Sequence, residues 1–178
     1  ASPLFNPEGY HYGSVWPLFT GWTALAEYRH GRSAQGFTHL MNNLLIKNHW
    51  AAGFVEEVMN GAAYKPSGVC PHQCWSETNI LHPALAGMVG WQPDATQGAA
   101  FLTPRFPFHW DTVRVKHLRV GASVLDLVFI RTTTRTTYRL TLREGPPVTV
   151  WLSPKPPLGM NIQELSVNGQ KQTSTREK

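Results

Sequence analysis

Residues 10–22 read YHYGSVWPLFTGW, packing two tyrosines, a histidine, two tryptophans and a phenylalanine into the mouth of a helix. Tryptophan is costly to expose and awkward to bury, because its indole N–H wants a partner. Such a cluster is either core or the lining of a pocket for something flat, polar and apolar at once, such as a sugar ring. Val15, Leu18, Phe19, Trp22, Leu25 and Ala26 recur at helical spacing, which predicts a helix from Ser14 to Arg29. Pro17 is tolerated in its first turn, where no intrahelical N–H bond is lost. Trp22 lies on the apolar stripe and reads as core, whereas Trp16 sits at the mouth.

Downstream, Gly31 reads as a helix stop and Ser33 as an N-cap for a second helix, Ala34–Lys47, whose face carries Phe37, Leu40, Met41, Leu44 and Leu45. Two amphipathic helices on a short link make an αα-hairpin. Residues 48–74 have no clear period, and aperiodic segments of that length in a compact fold are usually functional. Helical spacing returns with Ile80, Leu81, Ala84, Leu85 and Met88, between Trp75 and Val89, with Pro83 kinking or delaying the helix and Gly90 ending it. From GWQPDATQG (90–98) the grammar changes to short, alternating, β-branched runs about ten residues apart, the pattern of an antiparallel β-sandwich. The expected division is 1–90 helical, 91–98 linker, 99–170 sandwich and 171–178 a polar, frayed tail. Helices this apolar around their circumference sit within a larger helical assembly, so the chain is expected to be the C-terminal part of a bigger protein.

Composition narrows the function. The chain has 178 residues and a net charge of +5. The first 99 residues carry four Lys/Arg against six Asp/Glu, and the remainder twelve against five. The basic residues Arg131, Arg135, Arg139 and Arg143 recur along strand-like segments and read as solvated strand faces, with no aromatic–basic stacking platform for a nucleic acid. No apolar run approaches the ~18 residues of a membrane span. No signal-peptide pattern opens the chain, so a cytoplasmic location is expected. Cys70 and Cys74 bracket CPHQC, but structural zinc needs four ligands and no second pair exists. The expectation is two reduced cysteines, no metal and no cofactor.

Three ordered motifs then carry a resemblance. YHYGSVWPLFTGW, GFVEEVMNGAAY and CPHQCWSE, followed by PRFPFHWDTVRVKHLRVG, resemble the C-terminal section of bacterial amylo-α-1,6-glucosidase-like enzymes, which are six-hairpin glycosidases of the glycogen-debranching type. The fold this implies is α+β: the last helices of an (α/α)6 barrel followed by a small antiparallel β-sandwich, the rest of the barrel lying upstream. The implied activity is inverting hydrolysis of α-glucosidic linkages, α-1,6 branches above all, in glycogen-like glucans. His11 and Trp16 would face the bound glucosyl unit, with Gln73 and Trp75 as further sugar contacts. Relatives carry E-[VI]-x-x-G where this chain has Glu57-Val58-Met59-Asn60-Gly61, so Glu57 would be the general base and Glu56 a solvated neighbour. Asn60 and Ala62 depart from the small hydroxyl residue and acid common around that glycine. Glu77 reads as favourable charge at the start of the third helix. The partner acid of the family is an upstream aspartate, and no Asp precedes Asp94. Since leaving-group protonation is part of the barrier, the chain alone is expected to be inert. Two alternatives stand beside this reading. One is a non-catalytic carbohydrate-binding or interaction module, against which the sandwich tryptophans Trp110 and Trp151 offer no convincing platform. The other is part of an inverting glycoside phosphorylase, in which phosphate replaces water.

Overall fold

Proline at the first helical position has no N–H to leave unbonded, and Pro17 starts α1, Pro17–Arg29, in the computed structural model of the chain. The structure describes residues 2–48, 53–156 and 161–172. Trp16, just ahead of Pro17, is extended, so the helix begins three residues later than its apolar period suggests. The chain turns at Gly31, φ 77°, and enters α2, Ser33–Ile46. The third helix, α3, runs from Cys74 to His82 and passes at Pro83 into a π-helical segment, Pro83–Val89. Gly90 ends it in the left-handed region, φ 70°.

The packing faces of these helices are not their most apolar ones. In α1 the buried residues are Pro17, Gly21, Ala24, Leu25 and Tyr28, while Phe19 and Trp22 are 50% and 55% exposed. A Cβ on Gly21 would fall on the carbonyl oxygen and side chain of Asn79, and one on Gly87 would come within 2.6 Å of the Tyr28 ring. The helices thus approach through small residues. In α3 and its π-helical continuation Ser76, Asn79, Pro83 and Gly87 face inward, and Leu81 and Leu85 face out. Trp22, expected in the core, is a surface residue.

The stretch read as a linker contains a strand. β1, Trp91–Asp94, pairs antiparallel with β2, Ala99–Leu102, and β2 pairs parallel with β6, Thr149–Leu152. A second sheet is the antiparallel meander of β3, Thr112–Val120, β4, Ser123–Arg131, and β5, Thr136–Glu144. Alternation puts Leu118, Val120, Leu125, Leu127 and Phe129 on the inner face, against Trp91, Ala100 and Leu102 of the first sheet. A separate hairpin joins β7, Leu165–Val167, to β8, Gln170–Gln172. The polar tail lies, from residue 173 on, outside the described residues.

The barrel-end expectation is not met. Among the described residues there are three α-helices, one with a π-helical extension, beside eight strands in three small sheets, a mixed α+β chain rather than the end of a six-hairpin helical barrel. One strand pairing is parallel, so the β half is not purely antiparallel either. The reason lies in the connections. The described residues between α2 and α3 form turns, bends and isolated bridges at Met59 and Pro66 rather than further helices, and the helices close on one another through glycine and serine faces.

Candidate functional site

The aperiodic segment is the scaffold of the site. Residues 55–60 are all buried, an unusual run for a stretch holding two glutamates. Backbone pairing on both sides holds them. Val15 and Met59 exchange N–H···O bonds at 2.9 and 2.8 Å. On the other flank the Glu57 N–H donates to the Cys70 carbonyl and the Gln73 N–H to that of Val55, both at 3.0 Å. The Gly61 N–H donates to the Pro7 carbonyl at 2.8 Å, and a Cβ on Gly61 would overlap the Gly13 carbonyl. Loop 5–15 is therefore pressed onto the ribbon that carries Glu57.

That contact brings Tyr10 to Glu57. The phenol donates to Glu57 Oε1 at 2.6 Å, a short charge-assisted bond, while the carboxylate is only 7% exposed. Donation to Glu57 is the chief reason the phenol ionises above the ordinary tyrosine value, with burial and the carboxylate's charge acting the same way. Tyr10 is thus a proton donor throughout the neutral range. Its ring stands edge-on to His11 and Trp16, with centroids 4.9 and 4.6 Å away. His11 and Trp16 lie nearly parallel, 14° apart with centroids separated by 6.4 Å. The indole N–H of Trp16 is satisfied by the Tyr10 carbonyl at 3.2 Å. Three of the predicted site residues, His11, Trp16 and Glu57, are thus gathered around Tyr10. No family model matches the chain, and no curated protein matches it.

Gln73 and Trp75 enter the site less directly. Gln73 is the residue before α3 and is tied to Val55 by its backbone. Trp75 is 42% exposed on the first turn. No side-chain hydrogen bond joins either to Tyr10 or Glu57 among the described residues. Glu77 stands in the first turn of α3, where a negative charge is favourable, and His72 Nε2 lies 3.2 Å from its carboxylate. Glu56, read as solvated, is 3% exposed and belongs to the interior. Asn60 is a structural residue: its Oδ1 accepts the N–H groups of Ala62 and Ala63. Cys70 and Cys74 are free thiols, and among the described residues no group of three or more His, Cys, Asp or Glu is placed to hold a metal.

Tyr10 is the residue that sequence reasoning missed, although it opens the quoted stretch. Nothing in its local spacing points to a partner 47 residues away. In the β half, Trp151 and Phe101 are each half exposed, but they stack on one another at 4.8 Å and 21°. Their faces are used on each other and lay down no flat platform for a sugar. The strand arginines are not uniformly solvated: Arg131 lies over the Phe129 ring and donates to the Pro107 and Phe108 carbonyls, and Arg143 pairs with Asp126 at 2.8 Å. No helix among the described residues is long and apolar enough to cross a membrane.

Proposed function

We propose that this chain carries the base-side half of a glycoside hydrolase site, acting with inversion on α-glucosidic linkages of glycogen-like glucans. The observation that carries this reading is the buried Glu57 carboxylate held by Tyr10 beside the His11–Trp16 ring pair. Tyr10 engages Oε1, and among the described residues no hydrogen bond engages the second oxygen. That oxygen is the one to take a proton from water. The Trp16 face suits the C–H face of a pyranose, and the exposed His11 imidazole suits its hydroxyls. In inverting hydrolysis a base activates water while a second carboxyl protonates the leaving oxygen, the two lying roughly 6.5–9.5 Å apart. The proton donor is assigned to a separate polypeptide segment, so this chain by itself binds but does not hydrolyse. A cytoplasmic location belongs to the same reading, and the two free thiols suit a reducing compartment.

The test uses the positive charge of the transition state. A cationic iminosugar such as 1-deoxynojirimycin mimics the oxocarbenium ion, so an enzyme carboxylate holds it more tightly than neutral glucose. Calorimetric titration of the chain is expected to show iminosugar binding that falls about tenfold or more in Glu57→Gln. Tyr10→Phe should weaken it several-fold, and Trp16→Ala should weaken glucose and iminosugar alike. Equal affinity for the charged and neutral sugars, indifferent to Glu57→Gln, would instead mark a binding module without chemistry.

A further inference from the structure

An open cleft of about 390 Å³ lies between α1, α2 and the loop 59–64. None of Glu57, His11, Trp16, Gln73 and Trp75 lines it. One wall is a single face of α2, since His39, Asn42, Asn43 and Ile46 recur at i, i+3, i+4 and i+7. The opposite wall is the first turn of α1, with Thr20, and the roof is the loop from Asn60 to Tyr64.

The walls are fixed in place. Asn43, 2% exposed, donates through Nδ2 to the Pro17 carbonyl at 2.8 Å and so locks α2 to the start of α1. Asn60 holds the loop through its two bonds to Ala62 and Ala63. His39 stands 3.7 Å from the Glu27 carboxylate, on the neighbouring helix. A cleft held this way needs little rearrangement on binding, which is where much affinity is otherwise lost.

Its chemistry selects the ligand. Among the described residues the lining contains no Asp, Glu, Lys or Arg. A charged ligand would lose hydration there with no counter-charge in return. A purely apolar ligand would cover the exposed Asn42 amide without offering it a hydrogen bond. Amide, hydroxyl and imidazole groups beside apolar side chains, with the Tyr64 ring at the rim, suit a neutral polyhydroxylated ring. The volume is within the usual range for small-molecule sites, about 300–1,000 Å³.

We propose that this cleft is a saccharide-binding site distinct from the Glu57 cluster, taking one or two neutral hexose units. It goes beyond the hydrolytic reading and does not require it. Asn42 and the hydroxyl of Thr20 bond ring hydroxyls from facing helices, and the Tyr64 ring covers a C–H face.

The experiment is titration of the full chain with maltose, followed by calorimetry and by ligand-detected NMR. Asn42→Leu and Tyr64→Ala are the working variants, because both side chains are exposed at the cleft. Millimolar binding at this cleft is expected, weakened about tenfold or more by either variant; Trp16→Ala, which weakens sugar binding at the Glu57 cluster, leaves the cleft's share of the maltose binding in place. Three results would overturn the assignment: no maltose binding up to about 50 mM, binding indifferent to Asn42→Leu and Tyr64→Ala, or preferential uptake of indole over maltose. Maltose binding lost in Trp16→Ala alone removes this second site and leaves the Glu57 reading intact. Binding lost in Asn42→Leu, with iminosugar affinity indifferent to Glu57→Gln, does the reverse.

Discussion

Asp126 shows how one residue can hold a local distortion. It sits in the middle of β4, SVLDLVFIR, where it interrupts a nearly continuous apolar run, and it is only 9% exposed. β3 is bulged between Val115 and Leu118, and His117 occupies the left-handed region, φ 59°. Such a φ is uncommon for a non-glycine residue, and the bulge leaves an N–H without a strand partner. Asp126 Oδ1 accepts that N–H at 3.1 Å, and Arg143 Nε donates to Oδ2 at 2.8 Å. The backbone bond from His117, then Arg143, holds the Asp126 carboxyl below the usual aspartate range. A depressed folded-state pKa contributes stability above the unfolded value, roughly 3.9, and that contribution is lost as pH falls through the folded value. Melting temperature should therefore drop on acidification below about pH 4, and Asp126→Asn should flatten that limb while lowering stability at pH 7. An unchanged acid limb in Asp126→Asn would assign the pH dependence to other carboxylates.

Between helices, it is the small residues that decide stability. Gly21 meets Asn79 and Gly87 meets Tyr28 at distances that leave no room for a Cβ. Tyr28 is fully buried, and burial pushes its phenol well above the ordinary tyrosine value. Gly21→Leu forces α1 away from α3 and should cost about 3 kcal/mol, the top of the overpacking range. Trp22→Ala removes a ring already 55% exposed. Its cost should be about 1–2 kcal/mol, well short of the ~3–5 kcal/mol of a core tryptophan. Chemical denaturation of both variants checks the order, and a larger loss in Trp22→Ala would put the tryptophan back in the core.

Across the whole molecule, the β half begins earlier than its strand grammar suggests. Val89 and Trp91 belong to the same apolar cluster as Leu127 and Phe129. The Thr103 N–H donates to the Gly90 carbonyl and that of Arg105 to Met88, which ties the end of the π-helical segment into the first sheet. A polypeptide spanning 88–172 should thus melt cooperatively with a β-type circular dichroism spectrum. One spanning 99–172 lacks β1 and the Trp91 ring, and should be markedly less stable. Equal melting temperatures for the two pieces would show that β1 is dispensable.

The sequence by itself determined the order of elements: two helices on a short turn, an aperiodic loop, a third helix broken at Pro83, then strands. These rest on local rules, periodicity, proline's missing N–H and glycine's access to φ 70° at Gly90, which act within a few residues. It also singled out Glu57, His11 and Trp16, but only through the resemblance of their motifs to those of glycosidases, since residue type alone left Glu57 indistinguishable from Glu56. The tertiary structure decided which helix face is buried. Periodicity ranks faces by hydrophobicity, whereas close helix approach rewards the absence of side chains, as at Gly21 and Gly87. It decided that Glu56 is interior, since the burial of residues 55–60 comes from ribbons that start at Val15 and Lys65. It decided the architecture too: the same helical spacing serves a barrel or a small α+β chain, and only the long-range pairings distinguish them. Tyr10 and Glu57 are the sharpest case, because a hydrogen bond across 47 residues depends on two loops meeting and leaves no trace in either loop's own composition.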